Sequence, residues 1–139
     1  MRIEAWRIDA FGPLSSWTES GLSEHNLLVV LGDNETGKSA LFEFLATALF
    51  GFAPANAQGH PYRPWDASFP EGTVDVILHD GREAHVARRL SSSAQGRLTI
   101  DGVEEDRGNR PVPWVGLLNR AVFQNVHALT QDEALGLDK

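Results

Sequence analysis

The sequence contains no cysteine among its 139 residues, which excludes a disulfide framework and any metal site built from thiolates. Basic side chains are also scarce, since twelve of them stand against nineteen acidic ones and the formal net charge is −7. A chain with this balance does not wrap nucleic acid through its own general field. Neither a secretory leader nor an apolar run of about 18 residues is present, so we expect a cytoplasmic protein with no membrane partner.

What the chain does contain is enough apolar sequence for one core: 42% of its residues are hydrophobic and 22% are charged. The opening "MRIEAWRIDAF" alternates apolar and polar residues, which predicts a half-buried strand that ends at a Gly12-Pro13 turn. The run "NLLVVLG" has no alternation, which predicts a central strand over Leu27–Leu31 with both faces covered. From Lys38 onward the apolar residues recur at helical spacing nearly all round the helix, which is typical of a helix packed inside a domain.

The second half of the chain has the pattern of an antiparallel meander, from about residue 73 to residue 101. Before it, residues 53–72 are rich in proline and glycine and predict a long loop. "TVDVILHDGREAHVARRL" predicts two strands joined by a two-residue hairpin turn at Asp80-Gly81, and "GRLTIDG" predicts a third strand. "WVGLLNRAVFQNVHAL" is mixed, and we expect a helix there or a helix that passes into a strand. The tryptophans are expected in the core or in an interface rather than as platforms for stacking bases.

Residues 32–39 read G-D-N-E-T-G-K-S, which matches the phosphate-loop pattern G-x-x-x-x-G-K-[ST] between a predicted strand and a predicted helix. The glycines allow the backbone N–H groups to point inward, and the helix that follows adds its positive end. Lys38 would place a charge between the β- and γ-phosphates, and the Ser39 hydroxyl would complete the shell of Mg²⁺. The cofactors predicted are ATP and Mg²⁺, held by a loop whose residues are Gly32, Asn34, Glu35, Thr36, Gly37, Lys38, Ser39 and Ala40.

Four stretches together carry a family resemblance: "MRIEAWRIDAFGPL", "LGDNETGKSALFEFLATALFGF", "YRPWDA" and "AVFQNVHALTQDEAL". They resemble the N-terminal lobe of the YhaN-like branch of SMC-related ATPases, which are relatives of RecF and RecN with an ABC-type head. The resemblance implies an α/β P-loop NTPase fold over residues 1–139, with the meander packed on the phosphate-loop helix and the core sheet. It also implies the partners: a C-terminal lobe beyond a coiled coil, a second head in an ATP-sandwiched dimer, and DNA through the full assembly.

The resemblance implies further site residues. A glutamine that reaches the metal and the attacking water corresponds to Gln124 in "VFQNV", although Asn125 could be the aligned residue. Arg63 would touch the base or ribose, or would remain a solvated loop arginine. Two positions depart from the pattern. Ala40 replaces a second hydroxyl residue that contacts the α-phosphate in many relatives, and Asp33 brings a negative charge close to phosphate where proline is frequent.

The sequence also allows other functions. "VDVILHD" imitates the strand and aspartate that order Mg²⁺ in P-loop enzymes, but Gly81 follows Asp80 and a hairpin turn explains the pair better. A complete small P-loop kinase would need Asp80 on the metal and a lid with arginines, for which Arg88-Arg89 is the one candidate. A nucleotide-gated clamp without turnover is the non-enzymatic alternative. ATP hydrolysis is expected of the full-length protein, in the DNA repair or chromosome maintenance that the resemblance implies. Almost no hydrolysis is expected of this chain alone.

Overall fold

The computed structural model describes residues 1–24, 37–66 and 68–115, and of Lys38 it describes the backbone alone. The central strand predicted over Leu27–Leu31 lies outside these ranges, as does most of the mixed segment, from residue 116 onward. The described residues form one helix, two short 3-10 turns and six strands. In chain order the elements are β1 (Arg2–Phe11), β2 (Leu14–Glu19), a turn at Leu22–Glu24, α1 (Lys38–Phe50), β3 (Glu71–Ile77), β4 (Glu83–Leu90), β5 (Ala94–Ile100), β6 (Val103–Asp106) and a turn at Pro113–Val115.

The six strands form a single sheet in the order β2-β1-β3-β4-β5-β6, and every neighbouring pair is antiparallel. One face of this sheet is apolar because buried residues alternate along its four inner strands, β1, β3, β4 and β5. A row of directly paired residues crosses four strands on that face, and all four are buried: Trp6, Val74, Val86 and Leu98. The predicted meander is therefore confirmed, and β1 extends it on the far side of β3.

Helix α1 covers the apolar face of the sheet, as its sequence predicts. Of its described side chains only that of Ser39 is exposed, and the others are buried or partly buried. Phe44 lies directly over Gly72 of β3, where an added Cβ would come within 2.6 Å of the ring and 2.7 Å of the Arg7 carbonyl oxygen. The absence of a side chain at Gly72 thus lets the helix approach the sheet closely.

The hairpin between β3 and β4 lies where the sequence predicts it, but its loop has three residues and not two. The Leu78 N–H donates to the Arg82 carbonyl at 2.9 Å, and the Gly81 N–H donates to the Leu78 carbonyl at 2.9 Å. Gly81 has a φ of 88°, so this is a turn closed by a left-handed glycine bulge. A two-residue turn occurs instead at Asp101-Gly102, where φ is 52° and 78°, as type I′ requires.

Two strands escaped the sequence analysis, and both lie at the edges of the sheet described here. In β2 only Leu14 is buried, and in β6 every residue is exposed. An edge strand that buries no alternating face carries no period-two pattern, so its sequence resembles that of a polar loop. In the part of the chain that the structure describes, no helix is long and apolar enough to cross a membrane.

Candidate functional site

No side-chain hydrogen bond caps the N-terminus of α1, which leaves the N–H groups of its first turn available to a ligand. Gly37 is the N-cap residue in a left-handed conformation, with φ 89° and ψ 21°, and no side chain of its own caps the helix. The first turn of α1 contains no acidic residue. The first N–H groups of a helix have no partner within the helix and carry its positive end. These features suit the binding of an anion at Gly37–Ser39.

The turn between β1 and β2 supports this helix end. An added Cβ at Gly37 would lie 2.6 Å from Leu14 Cδ2 and 3.4 Å from Pro13 Cγ. A side chain at position 37 would therefore meet both a steric clash and an unfavourable positive φ. The predicted Gly12-Pro13 turn is confirmed, and it fixes the place at which α1 begins.

The predicted site residues divide between described and undescribed parts of the chain. Lys38 is the first residue of α1, and the Ser39 side chain is exposed beside it. The Ala40 side chain is 2% exposed and belongs to the core, so only its backbone N–H is suited to meet a phosphate. Arg63 is exposed on the loop that follows α1. The remaining predicted site residues lie outside the described ranges: Gly32, Asn34, Glu35, Thr36 and Gln124.

The loop over residues 51–70 is anchored to β1 by aromatic contacts. Tyr62 stacks on Phe11 with ring centroids 5.0 Å apart and an interplanar angle of 11°. His60 is buried and meets Phe11 edge to face at 5.8 Å. The Gly12 N–H donates to the Tyr62 carbonyl at 2.6 Å. The loop therefore leaves the core at Tyr62 with a fixed direction, directly beside the turn that supports Gly37.

Trp65 lies just beyond this anchor and is 85% exposed. It stands between Pro64, which is buried, and a turn in which the Asp66 carboxylate accepts hydrogen bonds from the Ser68 N–H at 3.0 Å and the Ser68 hydroxyl at 2.6 Å. These bonds to Ser68 hold the pKa of Asp66 below its usual value. The tryptophans are expected in the core or in an interface, and Trp6, which is 2% exposed, is a core residue. Trp65 does not lie in the core, and whether it lies in an interface stays a prediction.

The C-terminus of α1 is held by a group that we call the clasp, formed by Arg88, Asn109 and Val112. Arg88 donates from Nε to the Ala48 carbonyl at 3.1 Å, and the Val112 N–H donates to the Leu49 carbonyl at 2.9 Å. Asn109 accepts from the Phe52 N–H at 2.6 Å and donates to the Phe52 carbonyl at 2.9 Å. The clasp thus binds carbonyls that the end of a helix leaves without a partner.

Arg88 is 2% exposed, and its two Nη atoms donate to the carbonyls of Gly108 at 3.2 Å and Arg110 at 2.9 Å. Burial, together with the neighbouring charge of Arg107, lowers the pKa of Arg88 to about 10, so the guanidinium stays charged at neutral pH. An arginine fixed in this way is not suited to a mobile lid. Arg88 is therefore not suited to be the lid arginine that the kinase alternative requires.

The Asp80 side chain is engaged inside the hairpin loop. Its carboxylate accepts hydrogen bonds from the Arg82 N–H at 3.0 Å and from Arg82 Nε at 2.7 Å inside the hairpin loop. Those bonds to Arg82 lower the pKa of Asp80. Within residues 1–24, 37–66 and 68–115, no group of three or more histidine or acidic side chains is placed to hold a metal ion. The hairpin interpretation of Asp80-Gly81 is the correct one.

The family model described as an AAA domain matches residues 1–135, and the chain belongs to that family. The AAA domain is a P-loop ATPase class, so the fold belongs to the P-loop NTPases and the chain has a nucleotide-binding, ATPase-type function with ATP and Mg²⁺ as the implied ligands. A search of curated proteins found no match to the chain.

Proposed function

We propose that the chain is the ATP- and Mg²⁺-binding half of an SMC-like ATPase head of the ABC class. The observation that carries the proposal is the start of α1, where a left-handed Gly37 without a side-chain cap leads into Lys38 and an exposed Ser39. This helix start ends the sequence G-D-N-E-T-G-K-S at residues 32–39. The AAA-domain match over residues 1–135 supports the same class.

In this proposal each part of the helix start has a separate task. The N–H groups of the first turn bind phosphate oxygens, and the Lys38 ammonium neutralises the charge between the β- and γ-phosphates. The Ser39 hydroxyl is an oxygen ligand of the kind that Mg²⁺ prefers, and bound Mg²⁺ would offset the charge on the phosphate oxygens. Gln124 would position the attacking water and complete the metal shell, while Arg63 would contact the base or ribose.

Hydrolysis in this proposal requires partners. A C-terminal lobe of the same protein and a second head would supply the acid that activates water and the charges on the far side of the γ-phosphate. Work on DNA, in repair or chromosome maintenance, would belong to the full assembly, because the net charge of this chain is −7 and does not favour a DNA surface of its own. The kinase alternative loses support from the fixed positions of Arg88 and Asp80.

The proposal predicts that Lys38→Ala nearly abolishes ATP binding, because the change removes the cation that would neutralise the charge between the β- and γ-phosphates. Isothermal titration calorimetry of both proteins with ATP and Mg²⁺ is the measurement. The matched control is Arg97→Ala, which removes an exposed cation on β5 far along the chain from the helix start, and it should leave the affinity unchanged. Equal ATP affinity of the wild type and Lys38→Ala would refute the phosphate site.

A further inference from the structure

Trp65 is the most exposed of the large hydrophobic side chains in the described ranges, at 85%, against 71% for Val103 and 44% for Phe69. A solvent-facing indole costs hydrophobic free energy unless something covers it. Phe69, four residues along the same loop, already lies under the guanidinium of Arg89, with Cζ 5.7 Å from the ring centroid. Trp65 is therefore the aromatic group of this loop that is open to a ligand.

The loop orders the backbone on both sides of Trp65. The Arg63 N–H donates to the His60 carbonyl at 3.1 Å, and the Tyr62 N–H donates to His60 Nδ1 at 3.1 Å. Pro64, which is buried, precedes Trp65, and the turn in which Ser68 donates to Asp66 follows it. A side chain whose backbone is already ordered loses little further entropy on binding, so such a position suits recognition.

The same anchor connects the loop that carries Trp65 to the start of α1 through one turn. The Tyr62 carbonyl is bonded to the N–H of Gly12, and the Leu14 side chain touches Gly37. Gly12 and Leu14 are two residues apart, and two residues span at most about 7 Å. The loop around Trp65 and the phosphate-binding helix start therefore lie on either side of one short turn. A nucleotide with its phosphates at Gly37–Ser39 would meet Trp65 by directing its base toward that loop.

We propose that Trp65 stacks on the base of the bound nucleotide and supplies the base-binding half of the site. This inference rests on the proposed nucleotide-binding function. Aromatic stacking accepts any base with a π-face, and it does not read hydrogen bonds. The site is accordingly selective for a nucleoside triphosphate over bare triphosphate, and it discriminates poorly between adenine and guanine.

The test compares two ligands on three variants of the purified protein by isothermal titration calorimetry with Mg²⁺. The ligands are ATP and inorganic tripolyphosphate, which has the phosphates and lacks the base. Trp65→Ala should weaken ATP binding about 5- to 150-fold, the factor that corresponds to one base–aromatic stack, and should leave the tripolyphosphate affinity within about twofold. Trp65→Phe should restore most of the ATP affinity, and Phe69→Ala, the matched control, should bind both ligands like the wild type.

The outcomes separate this inference from the proposed function. Equal ATP affinity of Trp65→Ala and the wild type would overturn the stacking role while leaving the phosphate site intact. An equal loss for both ligands would also overturn it, because that result indicates a disturbed loop and not a lost stack. If Lys38→Ala binds both ligands with the same affinity as the wild type, the phosphate site itself is refuted, and the stacking role is refuted with it.

Discussion

Ser39 and Ala40 are adjacent residues of the same helical turn with opposite surroundings. The Ser39 side chain is exposed at the start of α1, whereas Ala40 is 2% exposed and packs in the core. A serine or threonine side chain at position 40 would have to place its hydroxyl against apolar neighbours or turn it toward the ligand. The loss of a second hydroxyl at this position leaves Ser39 as the hydroxyl side chain that the described helix start offers to a metal.

Ser39→Ala should therefore weaken ATP binding in the presence of Mg²⁺ and should affect metal-free binding much less. The expected loss with Mg²⁺ is roughly tenfold, as for one interaction worth about 1.5 kcal/mol. The measurement is the ATP dissociation constant with Mg²⁺ and with a chelator present. Ser92→Ala, an exposed serine in the loop between β4 and β5, serves as the control. Equal losses with and without Mg²⁺ would argue against Ser39 as a metal ligand.

At the scale of elements, the sequence predicts β1, α1 and the β3–β4–β5 meander because each buries a face with its own period. Val74, Val86 and Leu98 are buried residues that alternate with more exposed ones along their strands, and this period of two is visible in the sequence. The edge strands β2 and β6 lack such a face. The predicted two-residue loop at Asp80-Gly81 is wrong, because the loop has three residues and ends in a backbone bulge at Gly81, with φ 88°. Such a bulge depends on the strand register and not on the dipeptide alone.

The clasp at the end of α1 also escapes sequence reasoning. Arg88 reads as one of two neighbouring strand arginines, yet it is buried and bonded to three carbonyls while Arg89 is exposed on the other face. An added Cβ at Gly96 would come within 2.3 Å of Arg88 Nη1, so the glycine on β5 provides the space for the guanidinium. The carbonyl groups of Ala48, Gly108 and Arg110 need a hydrogen-bond donor, but these residues come together only in the folded chain, so the sequence does not reveal that need.

Arg88→Met is expected to destabilise the fold by about 3 kcal/mol, because it removes charge-assisted hydrogen bonds and leaves buried carbonyls without a partner. Arg89→Met is the matched control on the opposite face, and it should change stability by no more than about 0.5 to 1 kcal/mol. The measurement is the free energy of unfolding in urea. Similar values for the two variants would contradict the role of the clasp.

The pH dependence of the stability difference between Arg88→Met and the wild type follows from the pKa of Arg88. Its folded pKa of about 10 lies below the ordinary value of an arginine, so the unfolded chain binds more protons than the folded one only in the alkaline range between the two pKa values. Stability contributed through this group therefore rises with pH within that alkaline window and is constant below it. The gap between Arg88→Met and the wild type should stay level from about pH 6 to pH 9, and a gap that changes across neutrality would point to another titrating group.

At the scale of the whole molecule, the proposed function assigns to this chain the parts that hold a nucleotide and assigns most of the parts that cleave it to partners. The sequence has no apolar strand that ends in Asp-Glu and no signature segment of the ABC type. An absent general acid–base group removes about 10²- to 10⁴-fold of rate. An absent charge on the far side of the γ-phosphate removes roughly 10³- to 10⁵-fold in related phosphoryl transfers. We therefore predict that the isolated 139 residues bind ATP and turn it over near the background rate.

The most direct test mixes trace radiolabelled ATP and Mg²⁺ with an excess of the purified chain, freed of contaminating ATPase. The protein is then trapped on a filter, and the retained nucleotide is separated into ATP and ADP over time. The account predicts that the wild type retains ATP uncleaved and that Lys38→Ala retains almost none. Two results would contradict it: no retention by the wild type, or cleavage at about one per second or faster that Lys38→Ala abolishes.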